Sequence, residues 1–192
     1  MKSRSIFLAK GISFLGHPLI LGTAYVAWMS FLNLPRSQAW CITLAVVLTL
    51  TLPITVHNWR KLKSGAYANF DVSDQNQRKG FYPVAIGLFL ALILVLWLMD
   101  VPKEVIYHTL LVLGMVGLMA LVNRKIKASL HAAIALFITV NCFTLGIFPG
   151  IGITFFSLAI AWSRWRLGRH SLHEIAIGSV FGTVFGLLAV GI

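Results

Sequence analysis

Long apolar runs separated by short polar joints dominate the chain from end to end. The first run covers residues 12–32 and is interrupted early by His17-Pro18. Proline suits a first helical turn, so a regular helix is expected to begin at Pro18. A turn at 33–37 leads to a second run, 39–56, in which Pro53 predicts a kink. Residues 58–81 form the one long polar stretch. Runs at 82–99, with Pro83 near its start, and at 105–122 follow, joined by a turn at 100–104. A basic link, 123–127, precedes a run at 128–145, and Gly146, Pro149 and Gly150 predict a tight turn over 146–150. The sixth run, 151–162, is short and is expected to extend to Trp165. The basic segment 163–173 then leads to the last run, 174–192.

A bilayer span needs about 20 mostly apolar residues. The pattern therefore predicts an all-α fold, a polytopic transmembrane helix bundle of about seven spans, or six if the first is only partly inserted. No change of composition divides the chain, so residues 1–192 read as a single membrane domain. Gly178, Gly182 and Gly186, at four-residue spacing in the last run, predict a small-residue face for close helix contact.

Composition agrees. Hydrophobic residues make up 58% of the 192 positions and charged residues only 11%, whereas a globular sequence is about a quarter charged. Cys41 and Cys142 both fall inside apolar runs and read as packed, reduced thiols. The basic stretch from Met1 to Lys10, with an apolar run behind it, has the outline of a signal peptide. It shows no small-residue cleavage site, and is read as the start of the first span.

The net charge of +11 adds sidedness. Seven spans place the N-terminus and segments 58–81, 123–127 and 163–173 on one side. These carry 14 of the 16 Lys and Arg residues; only Arg36 and Lys103 lie opposite. The positive-inside rule makes the rich side cytoplasmic. The chain is thus expected to be a multi-pass cell-membrane protein whose partner is the lipid bilayer. Basic residues scattered over short loops do not suggest a nucleic-acid partner.

The polar groups with chemical potential sit on that basic side. Ser163-Arg164 is followed by His170 and, one helical turn later, by Glu174. A carboxylate one turn from an imidazole can fix its tautomer and raise its basicity. An arginine grips phosphate oxygens bidentately. The set suits a histidine nucleophile for phosphoryl transfer. It also has a plain structural reading, since Ser171-x-x-Glu174 is a capping box and the arginines are interfacial anchors. Lys127, Ser129 and His131 form a second group at the start of the fifth run. There a helix terminus, an ammonium and a hydroxyl suit an anion, and a histidine can protonate a leaving oxygen. The same residues also read as a capped helix end at headgroup depth. Asp71 and Asp74 are spaced to hold a metal with a diphosphate, but no second acidic cluster accompanies them. They are read as solvated or paired with Arg78 and Lys79, and no metal is expected.

These residues resemble a known family. Ser163-Arg164-x5-His170-x3-Glu174 is similar to the third signature of the type 2 phosphatidic acid phosphatase family, SR-x5-H-x3-D, with Glu in place of Asp. Leu167-Gly168-Arg169-His170-Ser171 and the later Gly178 and Gly182 add to the likeness. Ser129-Leu130-His131 resembles the second signature, PSGH, without its Pro and Gly. Arg78 with Pro83 lies where the first signature, K-x6-RP, belongs. Asp71 stands there at the lysine position, and Lys79 takes the place of the proline. The resemblance covers residues 127–182. It implies a helical membrane enzyme that hydrolyses or transfers a phosphate without metal or cofactor, through a phosphohistidine, with a phosphorylated lipid as substrate. It further implies that His170 is the nucleophile, Glu174 its orienting carboxylate and His131 the general acid. Arg164, Ser129, Ser163, Arg78 and Lys127 would then hold the phosphate. Two other readings stand beside it. One is a non-catalytic lipid- or anion-binding protein or transporter. The other is a membrane prenyltransferase, suggested by Asn69-Phe70-Asp71-x-x-Asp74.

Overall fold

The computed structural model describes residues 2–191, and the last residue of the seventh run, position 192, lies outside them. All regular structure among the described residues is helical. The helices are α1 (Lys2–Leu15), α2 (Pro18–Asn33), α3 (Arg36–Val46), α4 (Leu52–Lys63), α5 (Arg78–Leu98), α6 (Lys103–Val122), α7 (Leu130–Cys142), α8 (Ile147–Arg166) and α9 (Leu172–Val190). Contacts gather the chain into two compact units. One comprises Met1–Gly22 with Lys125–Ile192, and the other is Thr23–Arg124. The N-terminal helix α1 packs against α8 of the C-terminal third.

In the unit Thr23–Arg124, α3 and α4 are one continuous rod from Arg36 to Lys63. A π-helical turn, Val47–Thr51, joins them, with the Leu52 amide bonded to Val47 O. Pro53 explains it. Proline lacks an N–H and its ring clashes with the carbonyl four residues back, and the wider turn removes both problems. The rod carries the chain seven residues beyond the predicted end at Val56, so the polar connection is 64–77 rather than 58–81. Arg60, Lys61 and Lys63 are its last turn, where cations complement the helix dipole. Asp74 Oδ1 accepts the amides of Asn76 (2.9 Å) and Gln77 (3.0 Å) just before α5 starts at Arg78. Asp74 thus fixes the turn that leads into α5, a role the charge pattern did not suggest.

The unit of Met1–Gly22 and Lys125–Ile192 is built around α7. Ten of its thirteen residues are buried, and it packs against both α8 and α9. The close approach of α9 rests on the glycine stripe. A Cβ on Gly178 would strike the Ser129 carbonyl, one on Gly182 the Ala133 carbonyl, and one on Gly186 would come within 2.8 Å of Val140 Cβ. Small residues on both sides bring the backbones together, as the spacing predicts. Gly182→Ala is expected to lower the unfolding midpoint in detergent, since overpacking a tight contact costs about 1–3 kcal/mol. Gly87→Ala, which meets nothing within 4 Å, should leave the midpoint unchanged or raise it slightly. Equal behaviour of the two variants would contradict this packing.

Five helical stretches are long and apolar enough to cross a bilayer: Arg36–Lys63, Arg78–Leu98, Lys103–Val122, Ile147–Arg166 and Leu172–Val190. Counting the bent pair α1–α2 as one span makes six. The run at 128–145 accounts for the difference from seven. It folds as α7 and a single 3-10 turn, Phe143–Leu145. At about 1.5 Å per residue, α7 alone is about 20 Å long, short of a hydrocarbon core of about 30 Å. The turn expected over 146–150 is also shorter. Gly146, at φ +127°, makes it alone, and α8 begins at Ile147 with Pro149 in its first turn, where proline's missing N–H has no helical partner to lose.

Candidate functional site

The predicted residues of the C-terminal third converge at one end of the α7–α8–α9 unit, and the local chain shows why. α8 ends in a left-handed glycine, Gly168 at φ +64°. The amides of Arg169 and His170 fold back onto Arg164 O, at 3.0 and 3.3 Å. This αL termination is one that glycine accepts without strain. It gives the five-residue spacing its meaning: the cap returns the chain so that His170 lies over the last turn of α8, next to Arg164.

Ser171 then starts α9. Its Oγ accepts the Glu174 amide at 3.2 Å, and Glu174 Oε2 accepts the Ser171 amide at 3.3 Å, a complete capping box. The same Oε2 lies 2.8 Å from His170 Nδ1. The capping and relay readings of Glu174 are therefore two uses of one oxygen. A carboxylate only accepts, so the imidazole proton sits on Nδ1 and Nε2 carries the lone pair. The His170 side chain is fully buried, so packing as well as hydrogen bonding fixes its ring.

α7 begins beside this corner. The Ser129 amide donates to Glu174 O at 3.0 Å, and Ser129 Oγ accepts the Ala132 amide as the N-cap of α7. Its two neighbours in the predicted group diverge. His131, in the first turn of α7, is buried. Lys127 Nζ reaches Arg169 O at 2.9 Å and Glu174 Oε2 at 3.3 Å. Lys127 is thus tied to the carboxylate that orients His170, and joins the loop after α8 to the start of α9.

The two members of the Ser163-Arg164 pair differ. Ser163 Oγ donates to Ile160 O at 2.7 Å within its own helix, which spends its hydroxyl proton on the backbone. Arg164 has no exposed surface, and its Nη1 donates to Ser13 Oγ of α1 at 2.7 Å. Arg78 belongs to the other unit. Its Nε donates to Val72 O at 2.9 Å and its Nη1 to Asn123 Oδ1 at 3.5 Å. Val72 takes a positive φ of 47°, costly for a β-branched residue, and the Arg78 bond holds it there. In that unit Arg78 ties the 64–77 connection to the end of α6. Gln75 Nε2 to Asn123 O, at 2.7 Å, does the same.

Sequence reasoning missed Ser13 and His17. His17 is buried, its ring edge-to-face with His131 at a centroid distance of 5.3 Å and 87°. The Leu19 amide donates to its Nδ1 at 3.3 Å, so His17 caps the start of α2. The available signal was a lone histidine and a serine one turn apart in an otherwise apolar first run.

The corner holds a buried imidazole with its tautomer fixed, a buried guanidinium, a capped helix N-terminus and a second buried imidazole. Such a set can bind a tetrahedral anion and pass a group to nitrogen. No protein-family model, no curated protein and no solved structure matches this chain.

Proposed function

We propose that this protein is a membrane phosphatase or phosphotransferase that takes the phosphate of a lipid phosphate or polyprenyl diphosphate onto His170. The observation that carries this reading is the buried His170 ring, held through Nδ1 by Glu174 at 2.8 Å, beside Arg164. In the first step the Nε2 lone pair attacks phosphorus, and the bond to the leaving oxygen breaks. His131 gives that oxygen its proton. The ring now carries positive charge, which the Glu174 carboxylate stabilises. In the second step water attacks phosphorus, the P–N bond breaks, and His131 recovers a proton from that water. Arg164 and the Ser129 hydroxyl hold the phosphate oxygens throughout.

The exposed surface supports a bilayer setting. All six tryptophans are exposed, each within about five residues of a helix end: Trp28, Trp40, Trp59, Trp97, Trp162 and Trp165. Aromatic rings of this kind favour the membrane–water boundary. Between them the helices expose Leu90, Leu94, Phe155, Leu158 and Leu187. We further propose seven passages with the basic ends cytoplasmic. α7 starts against the start of α9 and turns at Gly146 into the long α8, so its short length does not stop it returning the chain to the opposite face. Topology reporters fused after Ser37, Ser64 and Lys125 should read external, cytoplasmic and cytoplasmic. A cytoplasmic reading at Ser37 or an external one at Ser64 would overturn this orientation.

The departures from the first signature, Asp71 at its lysine position and Lys79 at its proline position, favour one competing reading, a non-catalytic anion binder. Purified protein in liposomes carrying a panel of lipid phosphates separates the two. Phosphate release undiminished by EDTA is the expected result. Release abolished by EDTA and restored by magnesium contradicts the metal-independent chemistry. No release from any substrate, with phosphate still bound, gives the binder reading.

A further inference from the structure

We infer that the end of α1 is a working wall of the phosphate site, with Ser13 positioning Arg164 and His17 positioning His131. This rests on the phosphatase reading above. Ser13 lies in the last turn of α1 and His17 two residues past its end. Ser13 Oγ accepts from Arg164 Nη1 at 2.7 Å, with both side chains buried. The ring of His17 meets that of His131 edge to face. Between them Gly16 lets the chain come in close: a Cβ there would strike the Ile160 side chain of α8. Nearer the start of α1, Ser5 Oγ accepts from Arg166 Nη2 at 3.0 Å. α1 therefore runs along the last turns of α8 and delivers its end to the two residues assigned to phosphate binding and proton donation.

The two contacts have different consequences. The hydroxyl bonded to Nη1 helps to aim the guanidinium fork, which counts in substrate binding and transition state alike. Loss of that hold raises KM. His17 acts otherwise. Its Nδ1 is committed to the Leu19 amide, so the neutral ring is pinned in tautomer and orientation and in turn confines His131. Loss of that confinement misplaces the proton donor and lowers kcat.

Three variants and two readouts test this. Ser13→Ala should raise KM about tenfold with kcat little changed, and Ser13→Thr should restore it, because the hydroxyl returns. His17→Asn keeps a side-chain acceptor for the start of α2; it should retain the unfolding midpoint and KM while kcat falls about tenfold or more. Binding of inorganic phosphate, measured by calorimetry, should weaken in Ser13→Ala. Wild-type kinetics in both variants would overturn the inference. So would equal losses in kcat and KM that follow a lowered midpoint and are not restored by Ser13→Thr. Should wild type bind phosphate without turnover, the phosphatase reading and the role of His17 fall together. The Ser13 assignment is then decided by its phosphate affinity alone, weaker in Ser13→Ala if correct and unchanged if wrong.

Discussion

His170→Ala should abolish turnover altogether, while His173→Ala, three residues on, should leave it near wild type. The contrast is large because the two histidines differ in everything but name. His170 is buried and bonded to Glu174, whereas His173 is exposed in the first turn of α9. Removing a nucleophile removes the pathway, so no substrate should rescue His170→Ala. Glu174 acts through His170, and its variants should grade accordingly. Glu174→Gln keeps the shape but loses the charge opposite the phosphorylated ring, and its amide must turn its oxygen to the ring to accept from Nδ1. Glu174→Asp keeps the charge on a shorter arm and should retain much of the activity. Steady-state rates on one lipid phosphate check the series. An Asp variant worse than the Gln variant would show that Glu174 serves only its capping box.

The second large effect belongs to His131. If its imidazole protonates the leaving oxygen, His131→Ala should lose about 10²–10⁴-fold in rate on an alkyl phosphate. The loss depends on the leaving group. An aryl phosphate whose phenolate departs unaided needs no proton, and the variant should handle it nearly as well as wild type in the first step. Paired measurements on the two substrates isolate proton donation from damage to the site. Equal losses on both would assign His131 a binding or structural role.

Much of this arrangement is legible in the sequence because it is local. The relay of His170 and Glu174 spans four residues, the capping box three, and the glycine stripe repeats every four. Pro18 marks the start of α2 because proline fixes the geometry of a first turn. What was not legible is tertiary. Arg164 bonds to Ser13, 151 residues away, and nothing in either segment names the other. The shortness of α7 was hidden for a related reason. A helix buried on nearly every side is apolar all round, and the run continues through Phe143 and Leu145 after α7 has ended at Cys142. The polar stretch after residue 57 misled in the opposite direction, since Arg60, Lys61 and Lys63 look like loop yet finish a helix whose dipole they complement. Lys127 and Arg78 show a further limit. Both have the chemistry to grip phosphate, but here Lys127 is bound to Glu174 and Arg169 O, and Arg78 to Val72 O and Asn123.

The central claim is that phosphate passes through a bond to His170, and trapping that bond tests it most directly. Protein turning over a radiolabelled lipid phosphate is quenched in alkali, where a P–N bond survives and acyl phosphates do not, and the labelled peptide is mapped. The account predicts label on the peptide holding His170, on that residue and not on His173, with none retained in His170→Ala. An active wild type whose label maps to another residue, or a His170→Ala variant that still turns over substrate, would contradict it.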